Sequence, residues 1–180
     1  MKDLTLARAR IVHAHMDAEE RRDFDAARAT FHRPRYEIVA TGEIHDGADA
    51  VARFYDETAR AFPDLTFERR VLRHSDDAVT VETVYRATHG GAWRGLPATG
   101  RVVAYPMMNV FLFEEDRLVG ERMYFDLLTP LRQVGVARDP TSLGGRIALG
   151  LNHPVNVGRA LVRSAFSSAA RRRACTPPPR

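Results

Sequence analysis

The sequence predicts an α+β fold in which helices cover one face of a curved antiparallel or mixed sheet. Apolar residues recur at helical spacing early in the chain, at Leu4, Ala7, Ile11, Ala14 and Ala18 and again at Val51, Phe54, Tyr55, Thr58, Ala59 and Phe62. Strand-like segments then follow one another with no helix between them. Short polar turns, Ser75-Asp76-Asp77 and Glu114-Glu115-Asp116-Arg117, join these segments into hairpins.

Each element has a local reason. The first stripe predicts a helix over 4–18. A second, over 24–31, has Asp23 as its N-cap and Pro34 to stop the chain continuing as helix. Residues 36–41 read as a strand and 42–47 as a turn with a short second strand. Asp46 is placed to cap the helix over 51–62, and Pro63 follows its end. Two hairpins are expected, 66–74 with 78–89 and 101–113 with 118–125. Between them, residues 90–100 hold four glycines, a proline and the sole tryptophan, Trp93, which places a loop at a rim. Thr129-Pro130 reads as an N-cap with proline at the first helical position. Beyond Gly135 the composition changes. A hinge at 139–145 leads to helical segments over 147–151 and 154–173, the second amphipathic and basic, and a Pro-rich end that predicts disorder. The expected division is a domain over 1–137 and a basic helical extension over 138–180.

Charge divides the same way. From Arg138 onward there are eight arginines and one acid, a net of +7, whereas residues 1–137 carry 19 basic groups against 22 acids. The body therefore lacks the electrostatic footprint of a nucleic-acid binder. The basic helix is open to three readings: a weak membrane-surface contact, a helix packed on the domain or its dimer mate, or a solvated tail. No apolar run reaches the roughly 18–20 residues of a bilayer span, and the first residues lack a signal peptide's apolar stretch, which predicts a cytoplasmic protein. The single cysteine, Cys175, can form neither an internal disulfide nor, alone, a zinc or iron–sulfur site. Patterns of the HExxH, GxSxG, P-loop and GxGxxG kinds do not occur, so neither a metal nor a nucleotide cofactor is expected.

Phe62-Pro63-Asp64, the run Trp93-Arg94-Gly95-Leu96-Pro97-Ala98-Thr99-Gly100-Arg101, and Arg122-Met123-Tyr124-Phe125-Asp126 followed by Leu131-Arg132-Gln133-Val134-Gly135 resemble, in order and spacing, the SnoaL-like polyketide cyclases of the nuclear transport factor 2-like superfamily. The resemblance covers roughly residues 5–136. It implies a cone-shaped sheet around a deep apolar pocket, often in a dimer, used for cyclisation, isomerisation, epoxide opening or binding alone. It implies that Asp126 is the general acid/base of an aldol closure, and that Asn109 stands where the family commonly has histidine. Asparagine can hydrogen-bond an oxyanion but cannot move a proton at neutral pH.

The residues themselves supply further expectations. Asp126 shares a strand face with Tyr124 and Arg122 by alternation, and with Thr129 serving as the cap its carboxylate is left for chemistry. Among apolar side chains its pKa would rise, as a base beside a carbonyl requires. A salt bridge to Arg122 or Arg132 is the bland alternative. Asn109, Tyr105 and Met107 share one face of the long strand, and Trp93 is placed to close a pocket mouth. Tyr36 and Glu37 point to opposite faces, so one of them alone reaches a pocket. Tyr55 and His15 lie on apolar helix faces, as core residues or pocket lining. The expected function is a cofactor-independent enzyme acting on a small hydrophobic substrate, in a homodimer, with Asp126 and Asn109 catalytic. The alternatives are a non-catalytic binding or scaffold module, and epoxide opening by Arg122 with Asp126 and a tyrosine.

Overall fold

The computed structural model describes residues 2–160 and 163 and divides the chain into two units, Met1–Val136 and Ala137–Arg180. In the first unit the elements run α1 (Lys2–Glu20), α2 (Phe24–Ala29), β1 (Arg35–Ile38), β2 (Glu43–Asp46), α3 (Ala48–Ala61), β3 (Thr66–His74), β4 (Ala78–Thr88), β5 (Val102–Glu114), β6 (Arg117–Phe125) and α4 (Leu128–Gln133). They form one six-stranded sheet in the order β2-β1-β6-β5-β4-β3. Only β1 and β6 pair in parallel; the other neighbours are antiparallel. This is the expected α+β architecture.

Alternation decides which side chains enter the core. On β5, Val103, Tyr105, Met107, Asn109, Phe111 and Phe113 are buried, and the residues between them face outward. The register carries this inner face across the sheet. Tyr85 pairs with Tyr105, Thr83 with Met107, Phe111 with Glu121 and Asn109 with Met123, and Tyr36 lies beside Glu121. Register shifts between Arg69 and Val71 and between Leu112 and Phe113 mark β-bulges, which bend their strands and sharpen the twist.

The helices on this face are tied by specific bonds. Arg8 of α1, 5% exposed, donates to the backbone carbonyls of Glu115 (2.6 Å) and Asp76 (2.8 Å), so one guanidinium holds both hairpin turns. Gln133 of α4 gives its amide to the carbonyl of Ala104 (2.7 Å) and accepts from the N–H of the same residue (2.9 Å), pinning that helix to β5. At α2 the expected cap forms, with Asp23 accepting from the N–H of Ala26. Two others do not. Gly47 precedes α3 with no side-chain cap, because Asp46 pairs with Arg35 across the β1–β2 hairpin. At α4, which begins at Leu128 ahead of Thr129, the capping group is Asp126.

In the second unit α5 (Leu143–Asn152) is followed by helix over 154–160. Its start precedes the expected 147, because the hydroxyl of Ser142 accepts from the N–H of Gly145 at 3.0 Å and admits the glycines into the first turn. The remainder of the expected helix over 154–173 and the Pro-rich end lie outside the described residues, apart from helical Arg163.

The loop over 90–100 sits on the end of α3, where the N–H groups of Gly90 and Gly91 reach the carbonyl of Ala61 at 2.9 and 3.2 Å. A Cβ at Gly91 would lie 2.0 Å from the carbonyl oxygen of Arg60. Gly91→Ala is therefore expected to cost about 1–3 kcal/mol of stability through overpacking. An unchanged urea midpoint in that variant would show that the loop does not need this close approach.

Candidate functional site

Five ionisable side chains from four elements meet where α1 crosses the inner sheet face. They are His15 and Glu19 of α1, Tyr36 of β1, Tyr55 of α3 and Glu121 of β6. His15 and Glu19 are one helical turn apart and share a face by the i,i+4 rule. Tyr36 and Glu121 are neighbours across the parallel β1–β6 ladder. Within the sheet, Asn109 donates its amide to Glu121 at 2.6 Å and accepts from the hydroxyl of Thr83 at 3.2 Å.

An ionised Glu19 sets where the protons of this network lie. Thr30 gives its hydroxyl proton to the carbonyl of Ala27, so its oxygen must accept from His15 Nδ1 at 2.7 Å. Tyr36 gives its single proton to Glu19 at 2.6 Å, so its oxygen accepts from His15 Nε2 at 2.7 Å and from Tyr55 at 2.8 Å. With Glu19 ionised, both ring nitrogens of His15 donate, which is the arrangement of an imidazolium. The Nε2 atom lies 3.4 Å from carboxylate oxygens of Glu19 and of Glu121.

The electrostatics agree with this pattern. Burial alone would depress the imidazole pKa, but the carboxylates of Glu19 and Glu121 outweigh it and push His15 up to about 10. Burial acts upward on Glu19, yet the His15 charge and the tyrosine hydroxyls hold its carboxyl below the usual value. Glu121 moves the other way. Burial and the nearby charge of Glu19 raise it against the pull of His15 and Asn109, and its Oε2 has no hydrogen-bond partner. Burial keeps both Tyr36 and Tyr55 well above the ordinary phenol range, so both remain proton donors.

Glu19 and Tyr55 bring this network to the wall of an apolar cavity of about 40 Å³, which Phe24, Phe54, Phe62, Phe67 and Tyr85 also line. A second cavity of about 60 Å³, bounded by Tyr105, Met107, Met123, Phe125 and Trp93, shares Phe54, Phe62 and Tyr85 with the first. Outside them opens a cleft of about 530 Å³ edged by Glu43, His45, Glu57, Trp93 and Arg94. Trp93 stands between cleft and interior, its ring edge-on to Phe62 at 5.4 Å, and an ion pair from Arg94 to Glu43 ties its loop to β2.

Of the residues singled out from sequence, Tyr105, Met107, Tyr55 and Trp93 line these cavities, and Tyr36, His15 and Asn109 are buried beside them. Tyr36 faces inward, and Glu37 faces outward, where it accepts from Arg122 at 2.9 Å. Arg122, Tyr124 and Asp126 lie elsewhere. Arg122 and Tyr124 lie on the outer face, Tyr124 being 41% exposed, because Glu121, Met123 and Phe125 take the inward positions of β6. That leaves Arg122 and Tyr124 together on the opposite face of β6 from the two inner cavities. Asp126 is exposed, and its carboxylate accepts from the N–H of Leu128 (2.9 Å) and the hydroxyl of Thr129 (2.6 Å). These bonds lower its pKa, where a desolvated carboxylate had been expected to show a raised one. Sequence reasoning missed Glu19 and Glu121, although the i,i+4 step from His15 and the alternation through Met123 and Phe125 were both legible.

The family model described as SnoaL-like polyketide cyclase matches residues 9–134. Among solved structures, a candidate polyketide cyclase from Xanthomonas campestris superposes with a TM-score of 0.66 at 21% identity, covering 72% of this chain and 98% of its own. IdmH from Streptomyces antibioticus, also described as a candidate polyketide cyclase, gives 0.61 at 23% identity over 72% and 99% of the two chains. A Catenulispora acidiphila protein with a ketosteroid isomerase-like fold, solved with trimethylamine, gives 0.60 at 21% identity over 70% and 92%. These likenesses establish the fold. Among curated proteins none matches the sequence.

The buried histidine makes stability pH-dependent. Its folded-state pKa of about 10 lies above the ordinary 6.5, so its contribution is complete below 6.5 and is lost as pH rises through 10. The urea midpoint of the wild type is expected to fall between pH 7 and pH 10. In His15→Gln that fall should be reduced, and the variant should lose about 3–5 kcal/mol at neutral pH because two buried carboxyl groups lose their cation. Parallel pH profiles for the two proteins would contradict the assignment.

Proposed function

Because the chain belongs to the SnoaL-like polyketide cyclase family, we propose that it is a cofactor-independent cyclase or isomerase of a small hydrophobic, polyketide-like substrate, with Glu19 as its general base. One observation carries the reading. The Glu19 carboxylate, 11% exposed, borders an aromatic cavity beside the Tyr55 phenol and is kept ionised by a buried imidazolium. In that place it can take a proton from a carbon next to a carbonyl while Tyr55, turning its hydroxyl proton from Tyr36 to the substrate, donates to the developing enolate oxygen. The C–H electron pair moves into the enolate and the proton to Glu19. For cyclisation the enolate carbon then bonds to a second carbonyl carbon, whose oxygen recovers the proton from Glu19. For isomerisation the proton returns at a different carbon.

The other residues have supporting parts. His15 holds Glu19 in its ionised form, and Asn109 orients Glu121 instead of touching substrate, since Glu121 and Thr83 already engage its amide. The cavities are smaller than the several hundred Å³ of a typical ligand site, so Phe54 and Trp93 turn aside when substrate enters from the cleft. Assembly as a homodimer is part of the proposal, supported by the exposed outer positions of Pro106 and Tyr124. Asp126 is the rival base. The family resemblance favours it, and so does its neighbour Phe125 on the cavity wall.

Solvent-deuterium uptake into an enolisable aryl β-diketone separates the readings. With Glu19 as base, Glu19→Gln lowers kcat by about 10²–10⁴-fold with little change in KM. Asp126→Asn then stays within about tenfold of wild type, and its helix cap is kept because asparagine caps about as well as aspartate. The reverse pattern would assign the chemistry to Asp126. Binding of the diketone without uptake by any of the three proteins would favour the binding-module reading.

A further inference from the structure

The second unit, Ala137–Arg180, carries a helical surface that nothing within its described residues covers. Among those residues only Gly145 is buried. A Cβ on Gly145 would lie 1.7 Å from the carbonyl oxygen of Asp139, so the turn before α5 folds tightly against that side of the helix. Elsewhere α5 is open. Leu143, Ile147 and Leu151 fall at i, i+4 and i+8 on one stripe, with exposures of 77%, 56% and 77%. Leu149 and Val155 add 40% and 64% exposed surface. Leaving this much aliphatic surface in water is unfavourable, and contiguous exposed apolar surface marks a place of contact.

Charge selects the occupant. Residues 138–180 contain eight arginines and a single acid, Asp139. Arg146, Arg159 and Arg163 are all exposed, and Arg146 flanks the apolar stripe three residues from Leu143. A guanidinium beside an aliphatic ridge can reach a phosphate while its methylenes stay on apolar surface. A second copy of the same unit would bring like charge against like charge. A surface that is apolar below and anionic above satisfies both features. At 1.5 Å per residue a ten-residue helix is about 15 Å long, half a bilayer core, so it lies in the interface plane and does not cross.

We propose that the Ala137–Arg180 unit docks on an anionic phospholipid surface, with Leu143, Ile147 and Leu151 inserted among the acyl-chain ends of the headgroup region and its arginines against lipid phosphates. The sequence offers a basic amphipathic helix over 154–173 for such a contact; α5 adds an apolar stripe ahead of it. This anchoring is independent of the identity of the general base. It would bring the cavity-bearing domain to the membrane boundary, where a hydrophobic substrate concentrates.

Sedimentation of the full chain with lipid vesicles tests it. Vesicles of phosphatidylcholine with one-third phosphatidylglycerol should bind at least about tenfold more protein than phosphatidylcholine alone, and the difference should shrink with added salt. The charge-neutral triple variant Leu143→Asn, Ile147→Asn, Leu151→Asn should lose most of that binding while its diketone reaction is unchanged. Absence of wild-type binding, equal binding to both vesicle types, or full binding by the triple variant would each overturn the proposal. Sedimentation-velocity runs without lipid supply a further check. A wild-type oligomer that the triple variant dissociates would make a second copy the occupant and overturn it as well.

Discussion

The positively charged imidazole of His15, enclosed between two carboxyl groups and two phenols, is the constraint on which the rest of the interior depends. It is completely buried, and every strong partner comes from a different part of the chain: Thr30 after α2, Tyr36 on β1, Glu121 on β6 and Glu19 on its own helix. Only one position of α1 over the sheet satisfies them together. Arg8, two turns earlier, fixes the other half of the same helix by gripping the turns of both hairpins. Between them these two cations determine how α1 lies, and therefore which face of the sheet becomes an interior.

A cluster of this kind is a poor way to gain stability. Removing a histidine and two carboxyl groups from water costs several kcal/mol per ion, and mutual attraction in the interior repays it only when hydrogen bonds are nearly complete. Here they are complete for His15 and Tyr36 and incomplete for Glu121, whose second oxygen has only the ion pair. An apolar interior of the same volume would serve packing better. What the ions supply is a carboxylate, Glu19, that stays charged beside aromatic rings, next to a phenol that stays protonated. The same arrangement accounts for the small size of the cavities. The aromatic rings of Phe54, Phe62, Tyr85 and Tyr105 take up much of the space between α3 and the sheet.

Much of this was legible in the sequence, because periodicity reports what a side chain faces. The stripe from Val51 to Phe62 gave α3, the alternation through Tyr105, Met107 and Asn109 gave the inner face of β5, and the glycine-rich segment around Trp93 gave the rim loop. Alternation also linked Asp126 to Tyr124 and Arg122. It could not say which of the two faces was inside. The register of β6 against β1 and β5 puts Glu121 and Met123 on the face of Tyr36, Asn109 and Phe111, which α1 then covers, a long-range fact that no local pattern contains. The His15 cluster was hidden for the same reason. Its members are spread from residue 15 to residue 121, and only the parallel pairing of β1 with β6 makes Tyr36 and Glu121 neighbours.

The protonation state of His15 is the most direct test of this account, and nitrogen-detected NMR of the imidazole at neutral pH, assigned with a His15 variant, reads it without any substrate. Two protonated ring nitrogens, both with imidazolium shifts, are the predicted result. One protonated and one bare nitrogen would contradict it, because a neutral ring could not be the cation that holds Glu19 ionised at the cavity wall.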